Sequence, residues 1–410
     1  MGASPPTRAG VSHCPGTYLW VVVAASLALP SVVRAAGACG PQPSDLADIQ
    51  IVASWIGGLQ YSNPSLPSFG AIKVHHGVGL YSPQGTPYFR VAPYNSNLAV
   101  LGLLRSPVKE KLTVTENWIR WYLGHLNLQA SPPGVVFDHW YLADGSGETT
   151  CPPGISPAGC NYDDSAPSYA ASLLGIAWAY YEAGGSAAFL SAPGHKQKFE
   201  TIAGVILSLQ HPDGLTAEIN SPVKYLMDNS EVYAGLKGME RLESRVFGDN
   251  AAAQKYAAAA QKARNTIRNE MVNPATSLYR VAKFLDGTYW EADLNVWYPG
   301  SVALAWPHLF GVTEGQSRTT QTQMAALNGS WDGSPNPEWT TNLVEPHGFL
   351  WPSIGHAALL AGDCSRARTY ANFIKALKFP TSPADIGFPW PFAVDDGGWL
   401  INTLSKLSGK

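Results

Sequence analysis

The chain has 410 residues, 45% of them hydrophobic and only 14% charged, with a formal net charge of −3. That length allows one large domain or a few ordinary ones, and the low charge allows a sizeable core. No basic run and no heptad repeat occur, which argues against nucleic acid as a partner. The 14 Trp and 18 Tyr are many for this length, and several Trp stand in loop-like contexts rather than on helical stripes. Most individual Trp are expected to be plain core residues.

Residues 1–38 read as an export signal. Arg8 lies in a polar lead, Leu19 to Leu29 is apolar, Pro30 follows, and Ala36-Gly37-Ala38 fits a signal-peptidase site. The apolar run is short for a membrane span. The expected protein is therefore secreted or periplasmic, and residues 39–410 form its single domain. Membrane contact would arise only through lipidation of Cys39, although Ala36 stands where a lipoprotein signal usually has Leu. Cys151 and Cys160 bracket a Pro/Gly-rich loop and are expected to pair, and Cys39 with Cys364 would complete an even set. No Cys-x-x-Cys or His-rich spacing suggests a metal, and no cofactor is implied.

The mature chain opens with helical spacing over Ser44 to Leu59, ended by Gly57-Gly58. A turn-rich stretch to Pro93 precedes a short apolar helix, Leu98 to Leu104, opened by Tyr94-Asn95-Ser96-Asn97. Lys109 to Leu128 is amphipathic, and strand-like Gly134 to Tyr141 and the cysteine loop lead to an apolar helix, Ala170 to Tyr181. Phe199 to Leu209 is amphipathic, and a hairpin-like piece to Tyr225 leads to a helix, Ala234 to Leu242. Asn250 to Met271 is Ala-rich and amphipathic. Two alternating pieces around Asp286-Gly287 then lead to Trp297-Tyr298-Pro299-Gly300 and an apolar helix to Trp306. Gln316 to Leu327 and Cys364 to Leu377 are the last amphipathic helices. They precede apolar helices over Ser353 to Leu360 and Leu400 to Leu407.

One unit is thus used six times: an amphipathic helix, a loop with short strands, and a more uniformly apolar helix. The apolar helices begin near Asn95, Asp164, Asp228, Tyr298, Pro352 and Asp396. A helix apolar nearly all round is buried, and one with a polar face lies outside. Six outer and six inner helices in alternation give an all-α fold, a closed (α/α)6 toroid of six hairpins with short β-hairpins in the loops of one face. Such a ring is one domain and is expected to be a monomer.

Two inner-helix starts carry acids beside aromatics. Asn161-Tyr162-Asp163-Asp164-Ser165 opens one, and Tyr225-Leu226-Met227-Asp228-Asn229-Ser230-Glu231 opens another. An Asp before a helix is often only a cap, and Asp-x-x-Glu resembles a capping box. Two adjacent Asp exceed what a cap needs, and Asp164 is taken as the more inward of the pair. Asp228 and Glu231 share a helix face. Other acids converging on the same face are Asp138, Glu291, Asp293, Glu345, Asp395 and Asp396. Trp140, Trp297, Tyr298, Trp351 and Trp390 all stand just before inner helices, which suggests a groove for stacking sugar rings. His139 and His347 are expected to be hydrogen-bonded structural residues or ligands of sugar hydroxyls.

The alternation of helix types, with Tyr162-Asp163-Asp164-Ser165 at an inner-helix start, resembles the six-hairpin (α/α)6-barrel glycosidase group over about residues 45–405. No single family within that group is matched. The resemblance implies a hydrolase that cleaves a neutral polysaccharide or oligosaccharide with two carboxylates as general acid and base or nucleophile. The candidate catalytic residues are Asp164, Asp228, Asp163 and Glu231. Candidate substrate-binding residues are Asp138, Trp140, Asp293, Trp297, Tyr298, His347, Trp351 and Trp390. Two other readings stand beside this one. A polysaccharide lyase would use His139 or Tyr141 with Arg280 and Lys283, and a glycan-binding protein would bind the same chain without turnover.

Overall fold

Capping chemistry and proline placement set where the helices begin. A computed structural model of the chain describes residues 40–219, 221–330, 339, 349–379 and 387–409, all within a single compact unit. The six outer helices are α1 (Asp45–Gly58), α3 (Lys111–Gly124), α6 (His195–Leu209), α8 (Asn250–Asn269), α10 (Ser317–Asn328) and α12 (Cys364–Lys378). Between them come the inner elements α2 (Pro93–Leu104), α4 (Ala166–Glu182), α7 (Leu226–Leu242), α9 (Trp306–Leu309), α11 (Pro352–Leu360) and α13 (Val394–Leu407). A single turn, α5 (Ala187–Leu190), links α4 to α6. Asp249 caps α8 by accepting from the Ala252 N–H at 3.0 Å, and Asp363 caps α12 through the Arg366 N–H at 3.2 Å. Pro93, Pro167 and Pro352 occupy first turns, where their missing N–H costs nothing.

The inner elements touch in cyclic order, α2 to α4, α7, α9, α11, α13 and back to α2, so the ring closes. Close approach between neighbours depends on glycine. A Cβ on Gly102 of α2 would lie 2.1 Å from the Gly398 carbonyl oxygen of α13, and one on Gly235 of α7 would lie 2.4 Å from the Ala171 oxygen of α4. The first and last outer helices are tied by a buried ion pair, in which Arg368 donates to both carboxylate oxygens of Asp45 at 2.6 and 3.0 Å. Burial alone would raise the Asp45 carboxyl, but the hydrogen bonds and charge of Arg368 hold it below its ordinary value.

The fourth inner element differs from the continuous helix expected there. A wide helical turn over Trp297–Ser301 passes into a tight turn over Val302–Ala305 and only then into α9. Pro299 and Pro307 remove two backbone donors from this segment, which breaks regular i→i−4 bonding. Elsewhere the helices begin earlier than apolar patterning alone indicates, at Pro93, Leu226 and Val394. Asp228 and Glu231 therefore lie within the first turns of α7 rather than before it.

Short strands join the loops on one face. Strands β1 (Leu80–Tyr81), β2 (Pro87–Val91) and β3 (His139–Tyr141) form an antiparallel sheet in that order. A second sheet has the order β4 (Val223–Tyr225), β5 (Ala282–Phe284) and β6 (Tyr289–Trp290). Only the last three residues of the strand-like stretch from Gly134 pair as a strand. The first sheet couples the loops leading to α2 and α4. The second couples those leading to α7 and the broken fourth element. The Cys151–Cys160 disulfide forms, with its Cα atoms 4.4 Å apart. Cys364 is also disulfide-bonded, while Cys39, its expected partner, lies outside the described residues. Among the described residues, no helix is long and apolar enough to cross a membrane.

Candidate active site

The inner-helix starts surround a cavity of about 480 Å³. Its acids are Asp164 before α4, Asp228 and Glu231 in α7, and Asp395 and Asp396 in α13. Its aromatic walls are Tyr94, Tyr298, Trp306, Phe349, Trp351, Trp390 and Trp399. Two further cavities share walls with it. One of about 470 Å³ shares Asp164, Ser165, Met227, Asp228 and Tyr298, and adds Glu218, Tyr225 and Trp290. The other, of about 370 Å³, shares Val74, Arg90 and Trp390, and adds Trp140 and His75. The three adjoin at these shared walls beside both sheets, Arg90 and Trp140 belonging to the first and Tyr225 and Trp290 to the second.

Glu231 is 2% exposed and accepts two hydrogen bonds on Oε1, from Tyr94 Oη at 2.6 Å and from Trp306 Nε1 at 2.9 Å. Burial pushes its carboxyl up to about 7, against those donors, which favour the ionised form. Asp228 lies three residues earlier, half-buried, and accepts from Ser165 Oγ at 3.0 Å. Burial, then the neighbouring Glu231 and Glu218 charges, raises it well above the usual carboxylate range. Asp395 is raised by burial and accepts from Asn95 Nδ2 at 2.8 Å. Asp396 serves the helix instead, accepting from the Ala393 N–H at 3.0 Å.

The two adjacent aspartates divide their work. Asp164 is exposed on the cavity wall and accepts from Tyr162 Oη at 2.9 Å. Asp163 does not line the cavity. Its carboxyl, raised to about 6 by burial and by the charges of Asp138 and Asp164, faces the Ala166 N–H at the start of α4. Ser165 is the N-cap of α4, accepting from the Ser168 N–H, and also donates to Asp228, so one side chain links two inner-helix starts.

Of the expected aromatic residues, Tyr298, Trp351 and Trp390 line the main cavity and Trp140 a side cavity. Tyr298 is 54% exposed and stacks on Trp351, with centroids 5.1 Å apart and planes at 26°. Trp297 does not reach the cavity: the turn at Pro299 sends Tyr298 outward and leaves Trp297 in the core, 1% exposed. Asp293 is exposed and closes its own turn, accepting from the Asn295 N–H at 2.9 Å. Asp138 is buried behind the wall. It accepts from Arg90 Nε at 2.8 Å and from Tyr169 Oη at 3.0 Å, and so holds the cavity-lining Arg90 in place. His347 and Glu345 lie outside the described residues.

Several cavity residues carried no sequence signal as site residues. Glu218 sits in an alternating Ala-Glu-Ile stretch that reads as strand, yet burial raises its carboxyl to about 7 beside Asp163 and Asp164. Tyr94 and Asn95 read only as the opening of an apolar helix, Trp306 as the end of another, and Trp399 as the residue before the last such helix. The cation pair that a uronate-binding reading needs is engaged elsewhere. Arg280 binds Glu291, and Lys283 binds Asp213 and Glu270, and neither lines the three cavities.

No protein-family model matches the chain. No curated protein matches it by sequence. Solved structures do match. An alpha-amylase from Clostridium perfringens aligns over 88% of this chain and 98% of its own, with 13% identity and a TM-score of 0.55. A D-mannose isomerase aligns over 89% of this chain and 98% of its own, at 10% identity and a TM-score of 0.54. A GH76 alpha-mannanase from Bacteroides thetaiotaomicron aligns over 89% of this chain and 95% of its own, at 11% identity and a TM-score of 0.51. The fold is the six-hairpin (α/α)6 toroid. At such identities the likeness is one of fold, and the chemistry must be argued from the cavity.

Proposed function

We propose that this protein is a secreted glycoside hydrolase acting on a neutral polysaccharide or oligosaccharide. The observation that carries the reading is the pairing, in one aromatic-walled cavity, of proton-holding acids on α7 with the solvent-open Asp164. Hydrolysis of a glycosidic bond needs one carboxyl that is protonated, to donate to the leaving oxygen, and one carboxylate that activates water or attacks carbon. Asp228 suits the first role. Burial and the neighbouring Glu231 and Glu218 charges raise its carboxyl well above the usual carboxylate range, which favours the protonated form, and the Ser165 hydroxyl donates to one oxygen while the other is left to deliver a proton. Asp164 suits the second role, open to water at the neighbouring helix start. Glu231 lies behind Asp228 and disfavours its ionisation.

The adjoining cavities suit a chain of several sugar units rather than a single small molecule. The exposed Tyr298 and Trp390 and the half-buried Trp351 offer faces for stacking sugar rings. Arg90, already neutralised by Asp138, leaves the cavity without a free cation among its described lining residues, which supports an uncharged glycan. The structural neighbours include an alpha-amylase and an alpha-mannanase, enzymes of neutral glycans, and also an isomerase. One experiment separates these chemistries: incubation with a panel of neutral glycans in H2(18)O, read by mass spectrometry. A hydrolase gives shorter products that carry one 18O at each cleavage. A ketose of unchanged mass, an unsaturated product or an intact bound glycan would each overturn the reading.

A further inference from the structure

Away from the cavities, three side chains from separate elements converge on one point. His125 immediately follows α3, His139 is the first residue of β3, and Glu148 lies in the following loop, beside the bridge that pairs Trp140 with Thr149. Their ligand-type atoms all lie within 4.8 Å of one another. Nε2 of His125 is 2.8 Å from Glu148 Oε1, and Nε2 of His139 is 3.5 Å from the same oxygen. The two imidazoles stand nearly perpendicular, at 82°.

The opposite ring nitrogens fix the tautomers. Nδ1 of His125 is 2.6 Å from the Trp121 carbonyl oxygen, and Nδ1 of His139 is 3.0 Å from that of Phe137. A carbonyl only accepts, so each Nδ1 carries a hydrogen. In a neutral ring each Nε2 then aims a lone pair at Glu148. Two lone pairs and a carboxylate around one point are held together by a positive charge, either a metal ion between them or a proton on an Nε2. Metal-bound histidines have this arrangement, with the second nitrogen donating to a backbone carbonyl. The carboxylate is also oriented: Tyr141 Oη donates to Glu148 Oε1 at 2.8 Å, and Trp121 Nε1 donates to Tyr141 Oη at 3.0 Å.

We infer that His125, His139 and Glu148 form a binding site for a divalent transition-metal ion, zinc above all. Two imidazoles and one carboxylate suit zinc, whereas calcium and magnesium prefer all-oxygen shells. Bonds of about 2.1 Å in a tetrahedron place ligand atoms about 3.4 Å apart, which lies between the separations found here. Glu148, with its side chain 29% exposed, leaves room for water as a fourth ligand. None of the three residues lines the cavities, so the site is structural. It would pin the end of an outer helix to the strand and loop that carry Asp138, Trp140 and the Cys151–Cys160 pair, and so steady the wall holding Arg90.

The test is calorimetric titration of the chelator-treated full-length protein with ZnCl2, beside the His125→Gln and Glu148→Gln variants. Optical spectra with Co2+ and thermal melts accompany it. The wild type is expected to bind one zinc with micromolar or tighter affinity, to show the visible bands of four-coordinate Co2+, and to gain a few degrees in Tm. Each variant is expected to lose at least 10-fold in affinity while remaining folded in the melt. Failure of the wild type to bind a stoichiometric zinc would overturn the site and leave a protonated His125–Glu148 ion pair. Binding by His125→Gln that matches the wild type would overturn it too.

Discussion

Glu231 links the burial of the site to its pH response. Its carboxyl titrates at about 7 in the folded chain against an ordinary 4.5. Between those values the unfolded chain has released a proton that the fold retains. The folded state is therefore favoured below about pH 4.5, and this advantage is lost as pH rises through 7. The difference amounts to about 3 kcal/mol. Chemical denaturation at pH 5 and pH 7.5 should show Glu231→Gln losing less stability over that interval than the wild type, and equal losses would show that Glu231 is not held protonated. Activity should fall in the same direction, with kcat/KM declining on the alkaline side as Asp228, whose carboxyl burial raises, loses its proton. The acids were legible in the sequence because Asp and Glu beside aromatics at a helix start form a local pattern. Glu218 was not, because only tertiary burial distinguishes it from an ordinary strand residue. The metal ligands were illegible for a related reason, since they come from a helix end, a strand and a loop and share no spacing.

Helix starts and crossings decide which side chains reach the cavity. The outer-inner alternation could be read from polarity, because a helix inside the ring has no polar face to show. The break at Trp297–Ala305 could not be read that way. Apolar composition is the same for a continuous helix and for one interrupted by proline, and the break determines that Tyr298 rather than Trp297 faces the cavity. At the crossing of α2 and α13, a methyl group on Gly102 would meet backbone at 2.1 Å. Gly102→Ala should therefore lower stability by about 1–3 kcal/mol, despite alanine's higher helix propensity. A Tm equal to or above that of the wild type would contradict the close approach of these two helices.

The ring as a whole is closed by packing between the ends of the chain, α13 against α2 and α1, and by an ion pair between the first and last outer helices. Arg368 on α12 and Asp45 on α1 form the buried pair, and Asp45 is fully buried. Arg368→Ala leaves that buried carboxylate with the Gln42 N–H, at 2.8 Å, but no cation bonded to it, and should cost about 3–5 kcal/mol, seen as a large drop in Tm. A change within about 0.5 kcal/mol, the size typical of surface substitutions, would show that the pair does not help to close the ring. Closure also explains why a distributed sequence signal yields one site: six loops, far apart in the chain, deliver acids and aromatics to one face. The central claim is that Asp228 donates a proton to the leaving sugar there. Its most direct test is the turnover of Asp228→Asn on the glycan cleaved by the wild type. The account predicts a fall in kcat of about 10²- to 10⁴-fold, with glycan binding and Tm retained. A folded Asp228→Asn variant that turns over at a near-native rate would contradict it.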